Sequence, residues 1–192
     1  MRKVVFDIET SNIFQEVGSN NPADLDISVV GVYDSTSGIY SAFLQEELGK
    51  LWPLLENTEM LITFNGEHFD IPLLNKYYSG DLWKIKSIDL LKEMQKSAGR
   101  RMKLDQIAEG TLGVHKSGDG FDAIRWWRDG KVEEVKKYCL DDVRITKDLY
   151  DYALKNGKLF FKEGPHLHEI KLDTSHWETP LSSPSMNFTL PF

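Results

Sequence analysis

The sequence has only one cysteine, Cys139, among its 192 residues. A single thiol cannot form an intramolecular disulfide, so a scaffold held by disulfides is excluded and we expect a protein of the reducing cytoplasm. Long hydrophobic runs are also missing, because no stretch approaches the ~20 apolar residues that span a bilayer. The first nine residues lead directly into a strand with charged residues, so we expect neither a signal peptide nor a membrane partner.

Positive charge is scarce, with 23 Lys and Arg against 30 Asp and Glu and a formal net charge of −7. This balance argues against a protein that coats duplex nucleic acid through bulk electrostatics. It leaves room for nucleic-acid contacts through local basic patches. The length of the chain suits one domain with a core of its own.

Hydrophobic periodicity predicts an α/β sheet of mixed direction. Strands are expected at 2–8, 25–33, 38–44, 60–64 and 83–88, the second and third joined as a hairpin. Helices are expected at 45–56, 68–78, 89–98, 103–112 and 131–155. We predict one domain over 1–157, followed over 158–192 by a C-terminal hairpin and a tail that contains Pro and Ser.

Carboxylates at three separate points of the chain form the most informative pattern. Asp7 and Glu9 are two residues apart at the end of an apolar run, so both point to one face of a strand. Tyr138 and Asp142 are four apart in a helical pattern and share a helix face. With Asp70 at the start of another helix, these groups can form a site for two divalent cations. Oxygen-only ligands favour Mg²⁺ or Mn²⁺.

Each segment alone also has a structural explanation. A pair such as Asp7 and Glu9 is common on solvated strand edges, and Asn and Asp favour the starts of helices. Asp89 is expected as a helix N-cap. Asp141 lies about 100° around the helix from Asp142, which shares the face of Tyr138, and Asp141 is therefore secondary to Asp142. The combination in one order nevertheless favours a metal-dependent nuclease over separate structural roles.

These segments resemble the motifs of the DEDD group of 3′-to-5′ exonucleases. Phe6-Asp-Ile-Glu-Thr10 is similar to the first motif, Phe64-Asn-Gly-Glu-His-Phe-Asp70 to the second and Tyr138-x3-Asp142 to the third. The likeness spans roughly 1–155 and points to the proofreading exonuclease domain of family B DNA polymerases and its stand-alone predicted relatives. Lys137 stands where another subtype has His, so the chain resembles the tyrosine subtype, DEDDy. The resemblance implies an RNase H-like fold with a central mixed five-stranded sheet flanked by helices.

The resemblance also implies a function and a set of site residues. It implies a 3′-to-5′ exonuclease that releases nucleoside monophosphates from single-stranded or frayed DNA ends by two-metal-ion hydrolysis. Mg²⁺ or Mn²⁺ would be held by Asp7, Glu9, Asp70 and Asp142, with Asp7 bridging. Tyr138 would position the attacking water, since its reference pKa of about 10 makes it a poor general base. The alternatives are an exoribonuclease of the same fold and a nucleic-acid-binding module without catalysis.

Substrate contacts are expected from two groups of residues. Thr10, Asn65 and Phe69 lie within or beside the first two motifs. Asn65 is expected at the substrate terminus and Phe69 as a wedge or packing partner of a base, and a purely structural role is the alternative for both. Arg101 and Lys103 extend a basic helix stripe of Lys92, Lys96 and Arg100, which is either a solvated face or a track for phosphates.

Two further segments carry alternatives. Arg125-Trp126-Trp127-Arg128 mixes cations with aromatic rings, as single-strand binders do, but at least one Trp is expected in the core. Asn187-Phe-Thr-Leu-Pro-Phe192 loosely resembles the hexapeptides that dock replication and repair proteins on the bacterial sliding clamp, with Asn187 in place of a Gln. Packing on the domain itself and disorder are the other interpretations of this tail.

Overall fold

A computed structural model of the chain describes residues 1–118 and 120–180. Its strands are β1 (Lys3–Thr10), β2 (Ile27–Asp34), β3 (Ile39–Leu44), β4 (Met60–Thr63), β5 (Lys86–Asp89), β6 (Lys158–Glu163) and β7 (His166–Lys171). Its α-helices are α1 (Phe14–Val17), α2 (Trp52–Glu56), α3 (Asp70–Asn75), α4 (Leu90–Ala98), α5 (Leu104–Leu112), α6 (Gly120–Arg128) and α7 (Val132–Asn156). None of the helices in this part of the chain combines the length and the apolar character needed to cross a membrane.

Five strands form one mixed sheet in the order β3-β2-β1-β4-β5. The pairs β1–β2 and β2–β3 are antiparallel, whereas β1–β4 and β4–β5 are parallel. A hairpin is therefore joined to a parallel unit whose connections contain helices. The predicted α/β fold with a mixed five-stranded sheet flanked by helices is confirmed.

Alternating side chains of β1 belong to two different layers of the core. Val4 and Phe6 pack with residues of α2 and α3 on one face of the sheet. Val5 packs on the other face with residues of α4, α5 and α7. Asp7 and Glu9 continue the row of Val5 because side chains of a strand alternate with a period of two. The two carboxylates consequently face the helix α7.

Helix α7 has 25 residues, about 37 Å of helix, and crosses the sheet over β1 and β2. It packs closely against Gly31, which pairs with Asp7 in the β1–β2 ladder. A Cβ atom at Gly31 would lie 2.9 Å from the Sγ atom of Cys139, so a larger residue would push α7 away. This close packing brings Tyr138 and Asp142 towards the end of β1.

The core continues beyond residue 157. Leu159, Phe161 and Ile170 of the hairpin β6–β7 pack in the same cluster as α5 and α7. Trp177 is fully buried and stacks on Tyr150 with ring centroids 5.4 Å apart. The predicted hairpin is thus present and contributes to the core. Residues 187–192, for which clamp docking is one interpretation, lie outside the described residues.

Some local predictions differ from the structure. The predicted helix 45–56 is a 3₁₀ segment, Gln45–Lys50, followed by the short α2, in which Pro53 occupies the first turn. Because proline lacks an N–H, it fits a helix start and not a helix interior. Helices α1 and α6 were not predicted. The first lies in a stretch rich in Ser, Asn and Gly, and the second opens with a glycine.

Candidate active site

A cleft of about 1230 Å³ opens where β1 and β4 end. Its wall includes all ten residues for which the sequence predicts a catalytic or substrate role: Asp7, Glu9, Thr10, Asn65, Phe69, Asp70, Arg101, Lys103, Tyr138 and Asp142. Residues from β1, the loop after β4, the start of α3, the segment before α5 and the middle of α7 meet here. The fold therefore assembles the separate motifs into one site.

The carboxylates of β1 form the floor of the cleft. Asp7, Glu9 and Cys139 each offer one ligand atom within 4.8 Å of the other two, which is close enough to surround a metal ion. The Sγ atom of Cys139 lies 3.3 Å from the backbone oxygen of Asp7 and 3.7 Å from its Oδ2 atom. Cys139 itself is completely buried, as expected for a core residue.

Asp70 and Asp142 are both almost completely buried, with 3% of each residue exposed. Asp70 is the first residue of α3, and Asp142 lies in the middle of α7. The Oδ1 atom of Asp142 has no hydrogen-bond partner among the described residues. A buried oxygen without a partner is costly, so Asp142 has a free lone pair for a cation or for water.

The carboxylates repel one another in this poorly solvated space. Burial and the charge of Asp142 raise the pKa of Asp7 to about 8. Burial, and then the charge of Asp7, raises the pKa of Glu9 and of Asp70 well above their usual values. Burial also raises the pKa of Asp142, although the cation beside it acts in the opposite direction. Such upward shifts are the expected signature of several acids that share one site.

The cation beside Asp142 is Lys116, which the sequence did not single out. Its Nζ atom lies 2.5 Å from the Oδ2 atom of Asp142 and 5.0 Å from the ring centroid of Tyr138. Burial alone would lower the pKa of Lys116, but Asp142 and Tyr138 raise it above its usual value, so the ammonium stays charged. Lys116 lies in a Gly- and Ser-containing loop between α5 and α6, where no spacing rule marks it as a site residue.

Tyr138 is held between this lysine and a tryptophan. Burial, followed by the charge of Asp142, raises the pKa of the Tyr138 phenol above its usual value, so the hydroxyl is neutral at physiological pH. The ring of Trp126 meets the ring of Tyr138 edge to face at 5.9 Å. A neutral phenol can orient a water molecule but cannot serve as its base.

Comparison with known proteins assigns the chain to a family. A family model described as RNase_H superfamily, RNase_H_2, matches residues 4–154. The chain belongs to the RNase H superfamily. Its nuclease fold implies a nucleic-acid substrate. No curated protein matches the chain.

One solved structure with the RNase H-like fold is a family B DNA polymerase from the hyperthermophilic archaeon Pyrobaculum calidifontis. The match has a TM-score of 0.63 and 20% sequence identity, and it covers 80% of this chain and 24% of the polymerase. The chain thus spans about a quarter of that protein, and at this identity the likeness shows a common fold.

The second motif of this RNase H superfamily member is held by Asp89. As expected, Asp89 caps α4, where its Oδ1 accepts the N–H of Leu91 at 3.0 Å. The same carboxylate accepts the N–H groups of Asn65 and Glu67 at 2.8 and 3.1 Å. Asn65 has a positive φ of 70°, an uncommon conformation that these bonds support. The Oδ1 atom of Asn65 in turn accepts a hydrogen bond from Arg101 at 2.6 Å.

Thr10 and Phe69 complete the expected substrate side of the cleft. The Thr10 hydroxyl donates to the backbone oxygen of Asn12 at 2.9 Å, so it is occupied by the turn after β1. Phe69 packs edge to face against Phe14 with ring centroids 6.2 Å apart. Both rings line the cleft and present apolar surface to it.

The basic stripe divides into two parts. Lys92 pairs with Glu67, Lys96 pairs with Glu93, and Arg100 pairs with Glu163, and none of these three cations lines the cleft. Arg101 and Lys103 do line it. Asp141 forms an ion pair with Arg144 at 3.0 Å and does not line the cleft either. Only the end of the stripe can therefore act at the site.

Proposed function

We propose that this protein is a metal-dependent 3′-to-5′ exonuclease that releases nucleoside monophosphates from single-stranded or frayed DNA ends. The observation that carries the proposal is the convergence of Asp7, Glu9, Asp70 and Asp142 on one cleft beside Tyr138. These residues come from β1, α3 and α7 and have no common structural purpose, since their mutual repulsion weakens the fold. The nuclease fold supports the same class of substrate.

The residues present fit divalent cations. The four carboxylates offer oxygen ligands only, which suits Mg²⁺ or Mn²⁺. The buried Oδ1 atom of Asp142 lacks a hydrogen-bond partner among the described residues, and the raised pKa values of Asp7, Glu9 and Asp70 show that the site is short of positive charge. Bound in this donor set, two cations would supply Lewis acidity towards the scissile phosphate and a water molecule of lowered pKa.

The other side chains of the cleft act on charge and orientation. Tyr138 offers a neutral hydroxyl that can fix the attacking water by hydrogen bonding. Lys116 provides a permanent positive charge beside Asp142, where it can offset negative charge that develops on the phosphate. Neither group needs to change its protonation state for these roles.

The substrate would be held by the walls of the cleft. Phe14, Phe69 and Leu104 give apolar surface on which bases can stack, and Arg101 and Lys103 give positive charge near the phosphates. Asn65, with its left-handed backbone, also lines the cleft, and its side chain already contacts Arg101. A 3′ terminus bound in the cleft would lie among these side chains and the carboxylates, which line the same space.

The test is a digestion of DNA and RNA strands labelled at the 5′ end, single- and double-stranded, with Mg²⁺, Mn²⁺ or a chelator. We expect a ladder that shortens by one nucleotide at a time on single-stranded DNA and requires the cation. The Asp7→Asn variant is the matched control, because it keeps the size of the side chain and removes its charge. Internal cleavage, or no cleavage with either cation, would contradict the proposal. Digestion restricted to RNA would replace DNA by RNA as the substrate.

A further inference from the structure

Trp126 is half-buried, and its ring contacts the active-site residue Tyr138. It lies in α6 and packs against the cluster of Val29, Ala123, Val135 and Tyr138. Its ring meets the ring of Tyr138 edge to face, with centroids 5.9 Å apart and an interplanar angle of 70°. Both tryptophans of Arg125-Trp126-Trp127-Arg128 are half-buried and pack against this cluster without being fully buried, so the expectation that at least one belongs to the core is met only in part. Trp126 also lies directly behind a residue of the proposed catalytic site.

The same ring supports the loop that carries Lys116. A Cβ atom at Gly118 would lie 3.1 Å from the Cη2 atom of Trp126, so the indole and the loop backbone are in close contact. Two residues earlier, the backbone N–H of Lys116 donates to Asp105 at 2.9 Å, which ties the loop to α5. The loop is therefore fixed from two sides, by Asp105 and by Trp126.

We propose that Trp126 is a positioning residue that holds Tyr138 and Lys116 in register over Asp142. The inference rests on the proposed function, since it concerns the efficiency of the same site. Tyr138 stands on a rigid helix, but Lys116 is a long side chain on a loop, and its ammonium must stay within contact distance of both Asp142 and Tyr138. One planar ring that touches the phenol and the loop backbone keeps their separation fixed. A displacement of about 1 Å at a reacting centre can cost about 10²-fold in rate.

Trp127 provides a matched control on the same helix. It is half-buried and packs against the same cluster as Trp126. Among the described residues, the aromatic pair with Tyr138 involves Trp126 and not Trp127. Replacement of either residue removes a comparable amount of apolar packing, but only one replacement removes the contact with Tyr138.

The test compares Trp126→Leu, Trp126→Phe and Trp127→Leu with the wild type on a short single-stranded oligonucleotide with Mn²⁺. We expect Trp126→Leu to lower kcat about tenfold or more while KM changes less than about threefold, because Trp126 is not among the described residues that line the cleft. Trp126→Phe keeps an aromatic edge and should recover most of kcat. Trp127→Leu should keep kcat within about twofold of wild type. Equal losses of kcat in Trp126→Leu and Trp127→Leu would show a general packing effect and overturn the proposal.

A double-mutant cycle separates positioning from stability. If Trp126 acts through the phenol, the effect of Trp126→Leu on kcat should be several-fold smaller in a Tyr138→Phe background than in wild type. If Trp126→Leu lowers kcat by the same factor in both backgrounds, the two residues act independently and the proposal is overturned. Melting temperatures show which variants are folded at the assay temperature, and if Trp126→Leu is unfolded, Trp126→Met, which also lacks an aromatic ring, takes its place in the cycle. A wild type without cation-dependent cleavage contradicts the proposed function, whereas an active wild type with unchanged kcat in the Trp126 variants contradicts only the positioning role.

Discussion

At the scale of one residue, the buried carboxylate of Glu9 is expected to lower the stability of the metal-free protein. Burial and the neighbouring Asp7 raise its pKa well above the usual value, so ionised Glu9 is unfavourable in the folded metal-free protein. Glu9→Gln removes this cost and should raise the metal-free melting temperature at pH 8 by about 3 °C or more. The same variant loses a proposed cation ligand, and its turnover should fall at least ~100-fold.

Melting curves and digestion rates measured on one preparation check both effects of Glu9→Gln. Glu134→Gln is the control, since Glu134 is exposed on α7 and is not among the described residues that line the cleft. It should change neither property. A Glu9→Gln variant that melts lower than wild type at pH 8 would show that the carboxylate is stabilising, which contradicts the repulsion described for this cleft.

Lys116 forms an ion pair with Asp142, one of the proposed cation ligands. In the metal-free protein Lys116→Met leaves Asp142 buried without its partner, which should cost about 3 to 5 kcal/mol of stability. Millimolar Mn²⁺ should recover most of that loss, because a dication can neutralise the same carboxylate. Lys137→Met, an exposed change on α7, should have little effect. Equal destabilisation by Lys116→Met with and without Mn²⁺ would show that the lysine and the metal do not share Asp142.

At the scale of single elements, the agreement between sequence and structure depends on periodicity. Long or strongly patterned segments were predicted well: α7 was expected at 131–155 and is found at Val132–Asn156. Helices α1 and α6 were missed because their stability comes from tertiary packing and not from local pattern. The helix α6 packs on α7 through Ala123 and Trp126, contacts that no local rule reveals.

The same limit applies to the site. Asp7 and Glu9, or Tyr138 and Asp142, share a face of one regular element, so spacing alone predicts that each pair acts together. Lys116 comes from a loop, where spacing carries no directional information. Its contact with Asp142 depends on how α5 and α6 place that loop, which only the three-dimensional structure shows.

A substitution at Gly31 tests whether the close packing of α7 on the sheet is needed to bring Tyr138 and Asp142 to the carboxylates of β1. A Cβ atom there would lie 2.9 Å from Sγ of Cys139 and 3.2 Å from Cγ2 of Val143, so Gly31→Ala must shift α7 away from β1. We expect a loss of about 1 to 3 kcal/mol of stability and reduced turnover, because Tyr138 and Asp142 move with the helix. Gly49→Ala is the control, since a Cβ atom at Gly49 has no neighbour within 4 Å. The double variant Gly31→Ala/Cys139→Ala should regain part of the lost stability and part of the lost turnover. If it regains neither, the contact with Sγ of Cys139 is not the cause of the losses.

At the scale of the whole molecule, the carboxylates of the cleft should make the stability of the protein depend on pH. A cation that binds the same oxygens should change this pH dependence. Asp7 has a pKa of about 8 in the folded protein, against an ordinary value of 3.8, and the pKa values of Glu9 and Asp70 are also raised. Between pH 4 and 8 the folded state consequently binds more protons than the unfolded state, and metal-free stability must fall as pH rises. Asp34 has the opposite, lowered pKa, mainly from its bond with Arg2, but its stabilising effect is lost only below pH 4.

Thermal unfolding from pH 5 to pH 8, with chelator or with Mn²⁺, measures this linkage. We expect the metal-free melting temperature to decrease steadily over this range. The increase caused by Mn²⁺ should be larger at pH 8 than at pH 5, because protons compete with the cation for the same oxygens. Asp7→Asn removes one of the titrating groups and should flatten the metal-free curve. A metal-free melting temperature that stays constant or rises between pH 5 and 8 would mean that ionisation of the carboxylates does not destabilise the folded protein. Repulsion among them would then be no argument for a bound cation.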